Sequence, residues 1–263
     1  MNISAINIHD NKKPTFTSCC RRYTYKSLRD FNKFGHSYIQ TSTNIFREDL
    51  DWKKLTNYIL NNFADKKRVN SYSLACSDGS EAYSYAISLM EKIPETAYHK
   101  FFPIHASDID PVIIDATKKH FINMIDSELY FTKKNYGIDL NNYFVKFSKP
   151  HDIKGDLFRD FSDLTSYKPI QELKNNIHFK RGDILSELSK IKDNGNSVVM
   201  CRNVFPYLSD DYIETILNTA EHILKPGSLF IIGDFDRRKD IGAKLLKKAF
   251  IKPLDDNNIF MHI

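Results

Sequence analysis

Apolar residues in this chain switch repeatedly between two spacings. From Asp49 to Phe63 they fall at Leu50, Leu55, Ile59 and Phe63, the one-sided spacing of an amphipathic helix. Val69 to Cys76 then reads as a strand that ends in a small-residue turn, Ser77-Asp78-Gly79. Helical spacing returns from Ser80 to Glu91, with Ala82, Tyr83, Ala86, Ile87 and Met90 inward. Phe101 to Ser107 predicts the next strand. Asp110-Pro111 opens a helix, the aspartate as N-cap and the proline at the first helical position. Ile177 to Arg181 is a short strand, and Ser197 to Cys201 is a strand of the buried type. Asp210 to Leu224 is an amphipathic helix closed by Lys225-Pro226-Gly227, and Ser228 to Gly233 is the strand after it. A helix over Ile241 to Phe250 and a strand over Ile259 to Ile263 complete the pattern. Residues 122–176 are polar with scattered aromatics and show no regular period.

Strands alternating with helices of these lengths predict an α/β fold, a doubly wound, Rossmann-like parallel sheet with one late antiparallel edge. Ahead of it, residues 1–18 are polar and irregular. Arg22, Lys26, Arg29 and Lys33 then fall at i, i+4, i+7 and i+11, one basic stripe if the segment is helical. The expected organisation is a short basic helical region over 1–40 and a domain over 41–263 that carries an irregular insert at about 122–176.

Composition narrows the function classes. Lys and Arg total 38 against 33 Asp and Glu, a net charge of +5 in 263 residues, too small an excess to argue for nucleic-acid binding. The four cysteines show no CxxC or Cys/His spacing, so neither a disulfide scaffold nor a zinc site is predicted, and the thiols are expected to be reduced. The longest apolar runs, such as Ser228 to Ile232, are far too short to span a bilayer. A soluble, cytoplasmic chain without stable membrane insertion is the expectation; its oligomeric state stays open.

In an open α/β sheet, ligands bind beyond the carboxyl ends of the strands. Three polar clusters stand at such ends: Ser77-Asp78-Gly79-Ser80-Glu81, Asp108, and Arg202-Asn203. An acid in the position of Asp108 is placed to bind ribose hydroxyls, although a strand-end aspartate also caps helices. The first turn holds a single glycine and is neither GxGxxG nor a lysine-bearing phosphate loop. A ligand with an adenosine but no phosphate, such as S-adenosylmethionine, fits that turn better than a dinucleotide.

The sequence carries TSTNIFRE (Thr41 to Glu48), LACSDGSEAYS (Leu74 to Ser84), ASDID (Ala106 to Asp110), CRNVFPYL (Cys201 to Leu208) and ILKPGSLFIIG (Ile223 to Gly233) in that order, with NNYFVKF (Asn141 to Phe147) and NIHFKRGDIL (Asn176 to Leu185) between. This series resembles the CheR family, the S-adenosylmethionine-dependent methyltransferases of chemoreceptor glutamates. The resemblance implies a methyltransferase whose acceptor is a glutamate of a protein, the chemoreceptor cytoplasmic helix bundle in that family. It implies cofactor contacts at Thr41, Thr43, Arg47, Glu81, Asp108, Asp183, Ile184, Arg202 and Asn203, with Arg47 and Tyr207 bordering the transferring methyl group. Within that resemblance Thr41 and Asp183 stand where the family has asparagines, Ser80 and Ala82 replace the acid and proline of GEEPYS, and Asp234-Phe235-Asp236 replaces histidine-serine-glutamate. The basic stripe has two readings: a solvated helix face or, as the resemblance implies, a remnant of the family's receptor-docking helix. Two other functions are compatible with the same residues: a same-fold methyltransferase with another acceptor, and a cofactor-binding module without catalysis.

Overall fold

A computed structural model describes residues 43–147, 165–191 and 195–263. The N-terminal tail, the basic stripe, Cys19-Cys20 and Thr41 lie outside the described residues. Among the described residues the first helix, α1 (Trp52–Asn62), is capped by Asp51, which accepts from the Lys54 amide at 2.9 Å, and it buries Trp52, Leu55 and Ile59. Strand β1 (Val69–Leu74) leads through the Gly79 turn into α2 (Ser80–Lys92) and the short α3 (Glu95–Tyr98). Strand β2 (Ile104–Asp108) is followed by α4 (Pro111–Lys118), with Asp110 at its N-terminus accepting from the Ile113 amide at 3.4 Å.

The segment over 122–176 is more regular than the sequence pattern predicts. It contains β3 (Ile122–Met124), α5 (Asp126–Tyr136), β4 (Phe144–Phe147), β5 (Thr165–Pro169) and α6 (Gln171–Asn175), and its strands form a separate antiparallel sheet in the order β3-β5-β4. Two features hide this sheet from the pattern. Its strands are three to five residues long, and β4 leaves Val145 and Phe147 63% and 36% exposed, so no sustained apolar alternation develops.

The main sheet resumes with β6 (Ile177–Arg181), α7 (Ile184–Leu188), β7 (Asn196–Met200), α8 (Asp210–Ile223) and β8 (Leu229–Ile231). It ends with α9 (Ile241–Leu246), β9 (Phe250–Ile251) and β10 (Ile259–His262). Its order is β6-β2-β1-β7-β8-β10-β9. Every pairing is parallel except the two made by β10. The antiparallel strand is therefore second from the edge, and a two-residue strand, too short to leave a sequence signal, lies outside it. The predicted helix over Ile241 to Phe250 stops at Leu246 because Phe250 joins that outer strand.

Alternation along the strands divides the core in two. Val198, Met200, Leu229 and Ile231 face the layer of α1 and α2, with Leu55, Ile59, Tyr83 and Ala86. Val199, Cys201, Phe230 and Ile232 face α7, α8 and α9, with Leu188, Ile213, Leu217 and Leu245. A period of two thus sorts each strand between two apolar layers. From β1 the chain runs outward through β2 to β6 and then crosses back to β7 on the opposite side of β1. That reversal opens a crevice at the carboxyl ends of β1 and β7, where ligands of such sheets bind.

Gly79 fixes the entry to α2. Its φ is +87°, and a Cβ there would lie 2.8 Å from the Phe179 ring and 3.1 Å from the Thr117 methyl group. Gly79→Ala is expected to destabilise the protein by about 1–2 kcal/mol, the cost of a left-handed residue with a Cβ, read as a lower urea midpoint. An unchanged midpoint would show that the turn relaxes without strain.

Candidate functional site

The turn after β1 is wound by local bonds. Ala75, Ser77 and Gly79 all have positive φ, +59°, +50° and +87°. Such values in non-glycine residues cost on the order of 1–3 kcal/mol each and persist only when the surroundings enforce them. The Cys76 amide donates to the Ser107 carbonyl at 2.9 Å, the Ser80 amide to Asp78 Oδ1 at 2.9 Å, and the Ser77 amide to Asp108 Oδ2 at 2.9 Å. Asp108 Oδ1 accepts from the Asp110 amide at 3.0 Å. The side chain that ends β2 is thus a buried carboxylate tying the first turn to the second. Burial pushes it up to about 6, against the amides of Asp110, Ser77 and Ile109 that favour its charge. One step along the sheet, the Gly182 amide donates to the Asp108 carbonyl at 2.9 Å and brings Asp183 beside it.

The opposite side of the crevice is built on a buried cation. Arg202 follows β7, and its side chain is 2% exposed. Its guanidinium donates to Glu81 Oε2 at 3.1 Å and pairs with Asp49 Oδ1, and it lies 5.4 Å from the centre of the Trp52 ring. Glu81 Oε1 accepts from the Ser73 hydroxyl at 2.7 Å. Burial raises the Glu81 pKa, while Arg202 and Ser73 oppose the rise. Asp49 Oδ2 accepts from Asn203 Nδ2 at 2.8 Å and from the Asp234 amide at 3.3 Å, and Arg47 Nε stands 3.7 Å away.

Asn203 has a φ of +59°, and its Oδ1 accepts from the Phe235 amide at 3.0 Å. Its amide donates to Asp236 Oδ2 at 2.6 Å; the same carboxylate accepts from Gly233 at 2.8 Å and Phe205 at 3.0 Å. Burial pushes Asp236 up to about 6, and the three amides hold it down. Gly233 is required by the close approach, since a Cβ there would lie 2.2 Å from Asn203 Oδ1.

The structure therefore joins Arg47, Glu81, Arg202 and Asn203 in one network through Asp49, and joins Asp108 to Asp183 along the other arm. Tyr207 is half-buried in a one-turn helix, Phe205–Tyr207, with its ring 5.9 Å from Phe235, whose other neighbour is the Arg238 guanidinium at 4.0 Å. Ile184 is buried in the core with α8, and Thr43 is half-buried at the start of the described residues. Asp49, Asp236 and Tyr212, which bonds Asp183, were not visible as site residues in the sequence. The available signals were weak: an acid two places after Arg47, an acid three places after Gly233, and a tyrosine in the first turn of α8.

Removing Asp49 leaves Arg202 buried with one acid and Asn203 Nδ2 without its acceptor. Breaking a buried pair costs roughly 3–5 kcal/mol, so Asp49→Ala is expected to lose a large part of the folding free energy, measured by urea or thermal unfolding. A loss below about 1 kcal/mol, the range of exposed pairs, would show that Asp49 only decorates the crevice.

Comparison with known proteins places this geometry. The family model described as "CheR methyltransferase, SAM binding domain", SAM being S-adenosylmethionine, matches residues 41–136 and 148–247. Chemotaxis protein methyltransferase 2 of Vibrio cholerae serotype O1 is 22% identical over 213 residues, 80% of this chain and 67% of that protein. A chemotaxis protein methyltransferase of Listeria monocytogenes is 26% identical over 194 residues, 73% of this chain and 63% of that one. One of Salmonella typhimurium is 25% identical over 162 residues, 62% and 49%. The matches span from about half to two thirds of the length of these relatives. With its family motifs at the strand ends that form the crevice, the chain belongs to the CheR methyltransferase family, matching its SAM-binding domain.

Proposed function

We propose that this chain is an S-adenosylmethionine-dependent methyltransferase that esterifies a glutamate side chain of a protein. The observation that carries the reading is the buried Asp108 carboxylate beyond β2, facing the Glu81–Arg202–Asp49 network across the point where the strand order reverses. The donor and acceptor set fits the cofactor. Asp108 accepts one amide on each oxygen and keeps lone pairs for the two ribose hydroxyls. Asp183 Oδ2 is a buried acceptor without a partner among the described residues, suited to a donor on the adenine. Glu81 offers a carboxylate for the methionine ammonium.

When bound, the cofactor supplies a methyl group on a sulfonium, which leaves as a neutral thioether. A glutamate acceptor, with an ordinary pKa of about 4.3, is already ionised at neutral pH and needs no base. The protein's work is alignment and water exclusion. Arg47, in the segment that runs over the crevice, holds the methionine carboxylate and attracts the acceptor carboxylate. Tyr207 borders the methyl group. Arg202 and Asn203 keep Glu81 and Asp49 in place, and Thr41, Thr43 and Ile184 complete the cofactor's surroundings. Cys76 and Cys201 are no rival nucleophiles: both are buried, and burial pushes their thiols up, away from the reactive thiolate. The acceptor is a chemoreceptor helix bundle, in keeping with the relatives' names. Among the described residues no helix is long and apolar enough to cross a membrane.

Incubation with tritiated S-adenosylmethionine and lysate of chemotactic cells tests the reaction. Label should enter protein and leave as methanol in mild base, as an ester does. Base-stable label would instead assign an amine acceptor, and no label at all would favour a binding module.

Cofactor affinity should depend on pH through Asp108. Its free-protein pKa is raised to about 6, so the carboxylate accepts ribose hydroxyls above that pH and gains a proton below it. Calorimetric affinity for S-adenosylhomocysteine is expected to be level from pH 7 to 8 and to fall below about 6, approaching tenfold per unit where one proton must be released. Asp108→Asn should bind about tenfold or more weakly, for loss of a charge-assisted bond, and show no break near 6. A break that persists in Asp108→Asn would assign it to another group.

A further inference from the structure

At the end of the sheet away from the crevice, a concavity of about 500 Å³ opens beside the amino ends of β1 and β2. It is lined by Lys67 and Arg68, from the turn that leads into β1, and by Thr96, His99, Lys100 and Phe102, from the segment ahead of β2. The six residues of β1 put it about 20 Å from the crevice. None of its lining residues is an acid. Lys67 and Arg68 are exposed and make no ion pair among the described residues; the nearby Asp65 pairs instead with Lys66, at 3.2 Å. Lys100 is pinned at the end of α1, where its Nζ donates to the Phe63 carbonyl at 2.6 Å and to the Ala64 carbonyl at 3.2 Å. An ammonium has three donors, so one is left for a ligand. The Phe102 ring is half-buried and packs edge-on with Tyr98 at 5.4 Å. The positive field extends to the neighbouring sheet face: burial lowers the pKa of His105, and Lys180, His178 and Arg68 lower it further against Glu187.

Three permanent cations gathered in one concavity repel one another, and a cleft lined by a single sign of charge focuses its field on a counter-ion. The volume is that of a small-molecule site. A lone carboxylate would leave two of the cations unmatched, whereas a di- or triphosphate carries enough charge in a small space. Arginine meets phosphate oxygens with a two-pronged fork and lysine with a point charge. We infer that this concavity binds a nucleoside di- or triphosphate, with Lys67, Arg68 and Lys100 on the phosphates and the Phe102 ring against the base. Thr96 and His99 add side-chain donors beside the phosphates. The crevice has the opposite character: its buried Glu81 and Asp108 carboxylates repel phosphate. The two sites therefore take different ligands at opposite ends of the same strands.

The test is equilibrium binding of ATP, GTP and inorganic triphosphate to the full chain, with saturating S-adenosylhomocysteine present to keep nucleotide out of the crevice. Nucleotide should bind, more weakly as salt rises, and about tenfold or more weakly in the double variant Lys67→Gln/Arg68→Gln, which removes two charge-assisted contacts. Both side chains are exposed, so thermal denaturation should be unchanged in that variant. Because the change lies far from the crevice, it assigns the binding to this concavity whether or not the crevice holds the cofactor. Phe102→Leu should weaken the nucleotides about tenfold, the effect of losing a stacked base, and leave inorganic triphosphate unaffected, which also reports that the site is still folded. No nucleotide binding at about 1 mM, or undiminished binding in the double variant, would overturn the assignment. Nucleotide affinity that Phe102→Leu does not change would overturn the nucleoside as ligand. A single-stranded oligonucleotide that binds more tightly than either nucleotide, and is lost in the same double variant, would overturn it in favour of a nucleic-acid surface.

Discussion

A guanidinium with almost no access to water sits between two carboxylates at the mouth of this sheet. An isolated buried charge is expensive enough that it persists only with partners of opposite sign and good geometry. Arg202 finds those partners on two elements that the chain would otherwise leave separate, Glu81 in the first turn of α2 and Asp49 in the segment ahead of α1. Trp52 closes the remaining side, and its own indole Nε1 donates to the Arg47 carbonyl at 3.2 Å. The segment bearing Arg47 is thereby held over the crevice by the same cation that fixes the crevice wall.

That arrangement propagates into the backbone. Asp49 draws Asn203 Nδ2 and the Asp234 amide toward it, which requires Asn203 to take a left-handed conformation and position 233 to lack a side chain. Asp236 then gathers the three amides exposed by those two turns. Two strand-end loops, after β7 and after β8, are in this way cemented to each other by carboxylates, beside the ring contact of Tyr207 with Phe235. The opposite arm uses the same device on a smaller scale, with Asp108 gathering the Ser77 and Asp110 amides. Rigid loops of this kind suit a reaction in which the protein's main task is alignment.

The sheet and its helices were legible where the hydrophobic period changes sharply, as at Gly79 between β1 and α2 or at the Lys225-Pro226-Gly227 turn. They were illegible where strands are too short to show a period, as in β9 and in the small antiparallel sheet. In the crevice, the positions of Asp108, Glu81 and Arg202 followed from strand ends and family motifs. Asp49 did not, because an acid just before a helix is ordinarily a cap, and its partner Arg202 lies 153 positions later. Tyr212 escaped for the opposite reason: its position on the inward face of α8 made it look like core, and nothing local marks a hydroxyl that meets Asp183. Side-chain partners that close across the sheet are a property of the topology, which residue spacing alone does not encode.

Asp49 and Arg202 act as a coupled pair. A double-mutant cycle on stability, with Asp49→Leu, Arg202→Met and the double variant, isolates that coupling from the burial of either side chain alone. Each single change is expected to be severe and the double variant to recover much of the loss, a coupling of about 2 kcal/mol or more, since an apolar pair replaces a buried ion pair with little penalty. Additive losses within about 0.5 kcal/mol would contradict it and leave the network as a set of independent contacts.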